Sequence, residues 1–231
     1  GDEVELLNQY FAKNHAYRTG SFALPDRGLG YIEIPWYVPH IDDVYADVTI
    51  VIDEDTTTAL DYKYMLQQGY EFVHLLSHSS PWGSTFFLDH EAYGGGSVFS
   101  YEMAHVNPQA HFVILEACSN AKYTETNNLG QAYIFGSDCG LVAIGETKIM
   151  YGNSFEELYQ SLSMGNNLGD AFLDWMWWYW DFWLGCNLFG DPTLKPHGHG
   201  NPLTMAGFTP KPMMKGTQEW DTSPVDISSY T

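Results

Sequence analysis

Short runs of apolar residues recur along the chain and are separated by stretches with helical spacing. The runs occupy Asp47–Ile52, 72–76, 111–115 and 140–145. A continuous apolar run of this length is typical of a strand that is covered on both faces. Strands that alternate with helices favour a mainly parallel sheet with helices on both sides. The pattern therefore predicts an α/β fold with a central sheet between two helical layers.

The clearest helical stretch covers residues 56–68, between the first two apolar runs. It opens with threonines, which are common helix N-caps, and Gly69 supplies a C-terminal stop. Residues 82–101 surround three consecutive glycines and indicate a hairpin or another surface excursion. Further helices are predicted over 4–14, 129–135, 155–164 and 168–184.

Length and composition fit one folded domain. The chain has 231 residues, of which 45% are hydrophobic and 16% charged, so it can bury a sizeable core. We assign residues 1–196 to this domain and treat 1–46 within it as an N-terminal lead-in. Residues 197–231 lack periodicity and are rich in Pro and Gly, which is typical of a tail or linker.

The net charge of -20 narrows the choice of partners. With 29 acidic and only 9 basic residues, the chain would repel a phosphate backbone, so we expect no nucleic-acid partner. An acidic surface favours cationic peptides, although it is also typical of a protein kept soluble in a salty or extracellular setting. The sequence begins Gly1-Asp2-Glu3 without a basic and apolar leader, so export cannot be read from it.

The segment 175–183 is unusually aromatic. It is interrupted by Asp181 and is far shorter than the ~20 apolar residues that a membrane-spanning helix needs, so no membrane span is expected. On a helix it would place aromatic rings all around the axis, which favours burial on several sides. An exposed patch that docks another molecule or a neighbouring domain is the alternative.

Two residues with catalytic chemistry stand where predicted strands end. His78 follows the run 72–76, and Cys118 follows the run 111–115. In an open parallel sheet, ligands bind at the carboxyl ends of the strands, where the loops converge. A thiol that attacks and an imidazole that moves the proton are the two groups that nucleophilic catalysis needs.

Each of these residues alone has an ordinary structural explanation. A single Cys at the end of an apolar strand is usually a small buried hydrophobe, and a single His is usually just hydrogen-bonded. The three cysteines, Cys118, Cys139 and Cys186, are too few for a disulfide scaffold. The same context for His78 and Cys118 favours a catalytic pair.

The segments around these residues, FVHLLSHSS and HFVILEACSN, resemble the His and Cys motifs of the caspase-like cysteine peptidases. The downstream order GLVAIGET, LGDAF and NLFGDPTL is most similar to that of the gingipain family. The resemblance covers roughly residues 47–196. It implies a caspase-like three-layer αβα sandwich with a mainly parallel sheet, a peptide or protein substrate, and a location outside the cell or at its surface.

The same resemblance implies a cysteine endopeptidase that works through a thioester. Cys118 would attack the scissile carbonyl, backbone N–H groups of Cys118 and Ser79 would hold the oxyanion, and His78 would protonate the leaving amine. The family usually has Gly at the position of Ser79, and Ser is less free to adopt a positive φ. A catalytically silent relative that serves as a binding module is therefore the alternative.

Glu146 follows the strand after the nucleophile, where the resemblance would place part of the wall of the specificity pocket. An acid there would select Arg or Lys, and the alternative is a charge on an exposed loop. Asp89 and Glu116 are the acids considered for a third catalytic residue, and neither is assigned.

No metal site is assigned from the sequence. Asp53-Glu54-Asp55 offers clustered oxygens for calcium but lacks the spaced pattern of a dedicated calcium loop. His197-Gly198-His199 resembles a metal-binding pair only loosely, because it needs further ligands. A papain-type arrangement with His197 or His199 is disfavoured, since the tail has no strand character there.

Overall fold

The structure, a computed structural model, describes residues 2–33, 39–53, 55–88, 91–149, 154–178 and 185–198, and for residues 92 and 178 it describes the backbone only. The helices are α1 (Glu3–Arg18), α2 (Ala59–Leu66), α3 (Met103–Val106), α4 (Leu129–Phe135), α5 (Glu156–Ser163) and α6 (Leu168–Trp178). The strands are β1 (Arg27–Ile32), β2 (Asp47–Ile52), β3 (Tyr70–Leu76), β4 (His78–Ser80), β5 (Gly83–Leu88), β6 (Glu91–Phe99), β7 (Ala110–Glu116), β8 (Val142–Glu146) and β9 (Cys186–Gly190). Short 3-10 turns cover Ile41–Asp43 and Ser100–Glu102.

Six strands form the central sheet in the order β2-β1-β3-β7-β8-β9. Neighbours from β2 to β8 run parallel, and β9 pairs with β8 in the antiparallel direction. The excursion predicted over 82–101 falls in a second sheet, in which β4, β5 and β6 are antiparallel. The predicted α/β fold with a mainly parallel sheet is confirmed.

Alternate residues along the strands feed two separate cores, one on each face of the sheet. Val73 and Leu75 of β3 belong to the core that packs against α2 and α4. Phe72 of the same strand belongs to the core that packs against α5 and α6. This alternation is the two-residue period of a strand, and it makes β3 apolar throughout because both of its faces are covered.

The sequence analysis missed β1, which lies inside the proposed lead-in and runs between β2 and β3. Its glycines make the segment RGLGYI look like a loop. A Cβ on Gly28 would lie 2.6 Å from Ile41, and one on Gly30 would lie 2.7 Å from Ile50. Close approach of neighbouring side chains therefore requires these glycines within the strand.

The expectation that β2 is covered on both faces is wrong. β2 is the outer strand of the sheet, and Ile50 and Ile52 are exposed. An apolar β-branched run indicates a strand, but it does not reveal whether neighbours lie on both sides. The sequence pattern identified the element and not its position.

The helix predicted over 56–68 is confirmed as α2, with a shorter span. The Thr58 hydroxyl accepts a hydrogen bond from the Asp61 N–H at 3.1 Å, which caps the first turn. Gly69 then adopts a φ of +81°, where an L side chain would be strained. The chain can thus turn directly from α2 into β3.

The aromatic segment divides within α6. Trp175 is fully buried, stacks on Phe155 at a centroid distance of 4.5 Å and donates its indole N–H to the Ser154 carbonyl at 2.7 Å. Trp177 is 65% exposed, and residues 179–183 lie outside the described residues. In the described part of the chain, no helix has both the length and the apolar character needed to span a membrane.

The limits of the domain stay a prediction. His197 and Gly198 are described and pack against the body of the domain, whereas residues 199–231 lie outside the described part. A Cβ on Gly198 would lie 2.6 Å from the Val44 carbonyl oxygen, so the chain is still closely packed at this point.

Candidate active site

His78 and Cys118 leave the carboxyl ends of neighbouring parallel strands at equivalent heights. The register of β3 and β7 pairs Leu76 with Glu116, and each candidate residue stands two positions beyond its member of that pair. Neighbouring strands lie about 4.8 Å apart, so the two loops start side by side. The sheet topology thus supplies the adjacency that the sequence analysis expected.

A direct contact joins the two loops. The Ser79 hydroxyl donates a hydrogen bond to the main-chain carbonyl oxygen of Cys118. Ser79 lies in β4, pairs with Ser84 and has no positive φ. The residue that departs from the family pattern is therefore accommodated without backbone strain, and it makes a contact that Gly could not make.

The His78 ring is held by an aromatic neighbour. It stacks on Phe87 of β5 with a centroid distance of 4.3 Å and an interplanar angle of 19°. Partial burial lowers the pKa of His78 below its ordinary value of 6.5. The neutral imidazole is the form that can accept a proton, so this shift favours a base at neutral pH.

Glu33, which the sequence analysis missed, supports this arrangement from below. Its buried carboxylate accepts the His78 backbone N–H at 3.3 Å and also accepts the backbone N–H of Phe87. One carboxylate therefore anchors both His78 and the residue on which its ring stacks. Its position directly after β1 is the available signal, but the glycines of that strand make the segment look like a loop in the sequence.

The turn that carries Cys118 is fixed to the next strand. Ser119 has a left-handed φ of 58°, and its N–H donates to the Lys148 carbonyl at 2.8 Å. The buried Asn120 side chain donates to the Leu115 carbonyl at 2.9 Å and accepts the Glu146 N–H at 3.0 Å. These bonds hold the backbone next to Cys118 between β7 and β8.

The three thiols differ in accessibility. None of the three is in a disulfide, and Cys118 is partly exposed, whereas Cys139 and Cys186 are buried. Burial raises the pKa of Cys139 to about 11, and burial followed by the charge of Glu146 raises the pKa of Cys186 well above its usual value. A reagent in solution would therefore find Cys118 first.

Glu146 is fully buried as the last residue of β8. Its main chain pairs with Cys186, and its N–H donates to Asn120. The alternative that Glu146 is a charge on an exposed loop is therefore wrong, because the strand continues through this residue. Its role in a specificity pocket stays a prediction.

Glu116 has a partner other than the candidate base. Its carboxylate lies 2.9 Å from Nε2 of the buried His74, and Nδ1 of that ring lies 2.8 Å from the Tyr159 hydroxyl. With the ring proton on Nε2, His74 donates to Glu116 and accepts from Tyr159. These hydrogen bonds lie next to the core under α5, to which Tyr159 belongs. Asp89, the other acid considered, lies outside the described residues.

The residues considered for metal binding lie elsewhere. The Asp53 carboxylate accepts the Asp55 N–H at 2.9 Å, while Glu54 is outside the described residues, so the calcium site stays a prediction. His197 lies against Glu71 at the amino end of β3. His78 lies seven positions after Glu71, beyond the far end of β3, which is about 23 Å away, so His197 cannot serve a papain-type site.

Comparison with known proteins gives a family match and related folds. The model of "Peptidase family C25" matches residues 32–197, and no curated protein matches the chain. A structure described as "Structure of Protease" is similar with a TM-score of 0.60 and 13% identity, covering 85% of this chain and 54% of that one.

Two gingipain structures are similar as well. The Arg-specific cysteine proteinase gingipain R has a TM-score of 0.56 and 15% identity, covering 74% of this chain and 47% of that one. The complex of the pro- and mature domains of RgpB from Porphyromonas gingivalis has a TM-score of 0.54 and 15% identity, covering 73% and 48%. At these identities the likeness concerns the fold, and the chain spans about half the length of these structures.

Proposed function

The chain belongs to peptidase family C25, and on that premise we propose that it is a cysteine endopeptidase with Cys118 as nucleophile and His78 as general base and acid. The observation that carries the proposal is the hydrogen bond from the Ser79 hydroxyl to the Cys118 carbonyl. It holds the histidine loop against the cysteine loop at the carboxyl edge of the sheet. The partial exposure of Cys118 leaves room for a substrate to approach its sulfur.

The first half of the reaction forms a thioester. The Cys118 thiol gives its proton to the His78 imidazole, and the sulfur attacks the scissile carbonyl carbon, forming a C–S bond. Backbone N–H groups of Cys118 and Ser79 stabilise the oxyanion. The C–N bond then breaks as His78 returns the proton to the leaving amine nitrogen.

The second half restores the enzyme. A water molecule gives a proton to His78 as its oxygen attacks the thioester carbon. The C–S bond breaks, the proton returns to the sulfur, and the new carboxylic acid leaves. The lowered pKa of His78 suits this role, because the imidazole must be neutral at the start of both halves.

Glu33 acts in this proposal as a positioning residue. Its carboxylate receives the N–H groups of His78 and Phe87, and it thereby sets where the imidazole stands. Precise placement of a base matters because proton transfer requires hydrogen-bond distance.

We further propose that Glu146 selects a basic side chain before the cleaved bond. Its carboxyl group lies at the end of β8, beside the strand that carries the nucleophile, and the chain is strongly acidic. Because Glu146 is fully buried, a substrate side chain would reach it only after the surrounding loops move apart. Cleavage of Arg, Lys, Asp and Asn peptides by the wild type and Glu146→Gln tests this, and equal profiles would remove the idea.

The family also suggests the setting. We propose that the protein acts outside the cell or at its surface, on peptide or protein substrates, and next to a further domain of a longer protein. The similarity to a structure containing gingipain pro- and mature domains supports the idea of a neighbouring domain. Detection of the protein in the culture medium or in a surface fraction would test its location.

Labelling with an iodoacetamide or chloromethyl-ketone probe tests the nucleophile. We expect Cys118 to be labelled in preference to Cys139 and Cys186, and peptide hydrolysis to be lost in Cys118→Ala. Cys139→Ala is the matched control, because it removes a buried thiol at another place. Hydrolysis that survives in Cys118→Ala would rule out the proposed nucleophile.

A binding module without turnover is the second candidate function. Leu173 and Trp177 lie one helical turn apart on α6 and are 63% and 65% exposed, which is a surface that a partner would cover. Failure of the probe to label Cys118, together with no hydrolysis, would favour this function. Leu173→Ser with Trp177→Ser would then be expected to abolish partner binding.

A further inference from the structure

The sequence pair His197-Gly198-His199 lacked further ligands, and the tertiary structure brings two to His197. Asp26 from the loop before β1 and Glu71 from β3 meet it at the amino end of the sheet. One ligand atom from each of these three residues lies within 4.8 Å of the others. The cluster is far from His78 and Cys118, so it is independent of the proposed catalytic function.

Glu71 is the interior member of this cluster and has no exposed surface. The Tyr17 hydroxyl shares its proton between Oε1 and the Lys195 carbonyl oxygen, 2.7 Å from each, and the Tyr45 hydroxyl donates to Oε2 at 2.8 Å. The His197 main-chain N–H lies 3.0 Å from both oxygens. A carboxylate has about four lone-pair directions, so these three donors leave one direction, which faces the His197 ring.

Nδ1 of His197 stands at that remaining position, 2.8 Å from Oε1 of Glu71. The imidazole is 42% exposed, and Asp26 is exposed, so the outer side of the cluster is open to solvent. Tyr17 packs its ring against the imidazole at a centroid distance of 4.6 Å. The ligand atoms are therefore oriented by neighbours, in the way that residues around metal ligands orient them.

The two carboxylates of the cluster favour the binding of a cation. Two carboxylates face one imidazole, and among the described residues neither Asp26 nor Glu71 has a lysine or arginine partner. Arg27 is adjacent in sequence, but its guanidinium donates to the main-chain carbonyls of Gln68 and Gly69. A buried carboxylate is costly unless it is paired or coordinates a metal.

From this geometry we infer that Asp26, Glu71 and His197 form a binding site for a divalent transition-metal ion, best suited to Zn²⁺. Imidazole nitrogen together with carboxylate oxygen is a donor set that Zn²⁺ accepts, and three protein ligands with one open position are a common arrangement. The ion takes the place of the proton between Nδ1 and Oε1.

Little movement is needed between Nδ1 of His197 and Oε1 of Glu71. With zinc–ligand distances of about 2.0–2.1 Å, two ligand atoms around a tetrahedral ion stand about 3.3 Å apart. Nδ1 and Oε1 now stand 2.8 Å apart, and the half-exposed His197 ring has room to move outward. The ion would tie the segment after β9 to the sheet and to the loop before β1.

Titration of the chelator-treated full chain with Zn²⁺ tests the site by calorimetry, and Co²⁺ with its visible absorption provides a second probe. We expect one ion per chain, and binding at least tenfold weaker in His197→Ala and in Asp26→Asn. Both substitutions alter exposed side chains, so circular dichroism should show an unchanged fold. His15→Ala, which removes an exposed imidazole from α1, is the matched control and should bind like the wild type.

Two outcomes would overturn the site. One is the absence of saturable binding of either ion by the wild type. The other is binding that persists unchanged in both His197→Ala and Asp26→Asn, since the ion would then sit on other ligands. Neither outcome depends on hydrolysis, so the peptidase proposal stands or falls separately.

Discussion

At the carboxyl end of the central sheet, the His78 ring stacks on Phe87 and stays exposed, and Cys118 keeps part of its surface in solvent. At the amino end, Glu71 has no exposed surface, and its oxygens accept hydrogen bonds from Tyr17 and Tyr45. The two ends differ in how far these polar side chains are exposed to solvent.

We expect this difference in exposure to decide whether a polar group contributes to reactivity or to the stability of the fold. A buried group that is hydrogen-bonded within the fold is expensive to remove. A group that is supported from one side only can meet a reactant on the other. Substitutions at the carboxyl end should therefore change activity, and substitutions at the amino end should change the free energy of unfolding.

The largest effect is expected for His78→Ala. Removing the base and acid should lower kcat/KM for peptide hydrolysis by about 10³-fold or more. The free energy of unfolding should change by less than about 0.5 kcal/mol, as for other exposed sites. Peptide assays and urea denaturation measure the two quantities, with the exposed His105→Ala as control. Undiminished hydrolysis by His78→Ala would contradict the proposed role of His78 at the carboxyl end of the sheet.

At the opposite end, Glu71→Ala should lower the free energy of unfolding by about 4 kcal/mol, because it leaves the buried Tyr45 hydroxyl and the His197 main-chain N–H without their acceptor. The rate at which a thiol probe labels Cys118 should stay within about twofold of the wild type. Urea denaturation in the presence of a chelator measures the first and keeps any metal effect apart. Glu91→Ala, on the exposed edge of β6, is the control. If Glu71→Ala were as stable as the wild type, the assigned role of Glu71 would be contradicted.

A second test at the amino end uses pH. Burial lowers the pKa of His111 from 6.5 to about 4, with help from the charges of His197 and Lys13, against an opposing hydrogen bond to the Cys139 carbonyl. The unfolded chain therefore binds a proton that the folded chain resists, and stability falls as the pH drops from about 6.5 to 4, by about 3 kcal/mol.

His111→Asn should remove most of that acid-dependent loss, because Asn keeps a donor for the Cys139 carbonyl and carries no titrating group. Urea denaturation at pH 7, 5.5 and 4.5 measures how the free energy of unfolding changes with pH. A slope equal to that of the wild type would show that other groups cause the loss. The exposed His15→Ala should keep the full slope.

The smallest effect is expected for Ser79→Ala. It removes the hydroxyl that donates to the Cys118 carbonyl, so the probe-labelling rate of Cys118 should fall by about three- to tenfold, as the loss of about 1 kcal/mol implies. Ser80→Ala, one residue on, should leave the rate unchanged. Equal rates for both variants would mean that the hydroxyl bond does not position the nucleophile.

Local patterns in the sequence were sufficient for much of the fold. Apolar runs located β3, β7 and β8, and the Thr-rich start and Gly69 located α2, because strand burial and helix capping depend on residues close in sequence. The order of these elements also placed His78 and Cys118 at strand ends. The run of β2 located a strand as well, but its composition could not say that it lies at the sheet edge.

The remaining features depend on residues that are distant in the chain. In the sequence, Gly28 and Gly30 indicate a loop. In the structure, the side chains of Ile41 and Ile50 occupy the space where a Cβ of these residues would lie. Glu33 becomes a support for the base only because β1 lies beside β3. No sequence pattern predicts such contacts, since side chains from different elements are brought together only when the sheet assembles.

The sequence by itself determined the class of fold and predicted His78 and Cys118 as the candidate pair, because periodicity and strand ends depend on residues that are close together in the chain. Only the tertiary structure decided which polar groups are closed off and which stay open. Glu71 accepts hydrogen bonds from Tyr45, 26 residues before it, and from His197, 126 residues after it. Ser79 donates to Cys118, which lies 39 residues further along the chain. Packing of distant segments decides how far the polar groups at each end of the sheet are exposed.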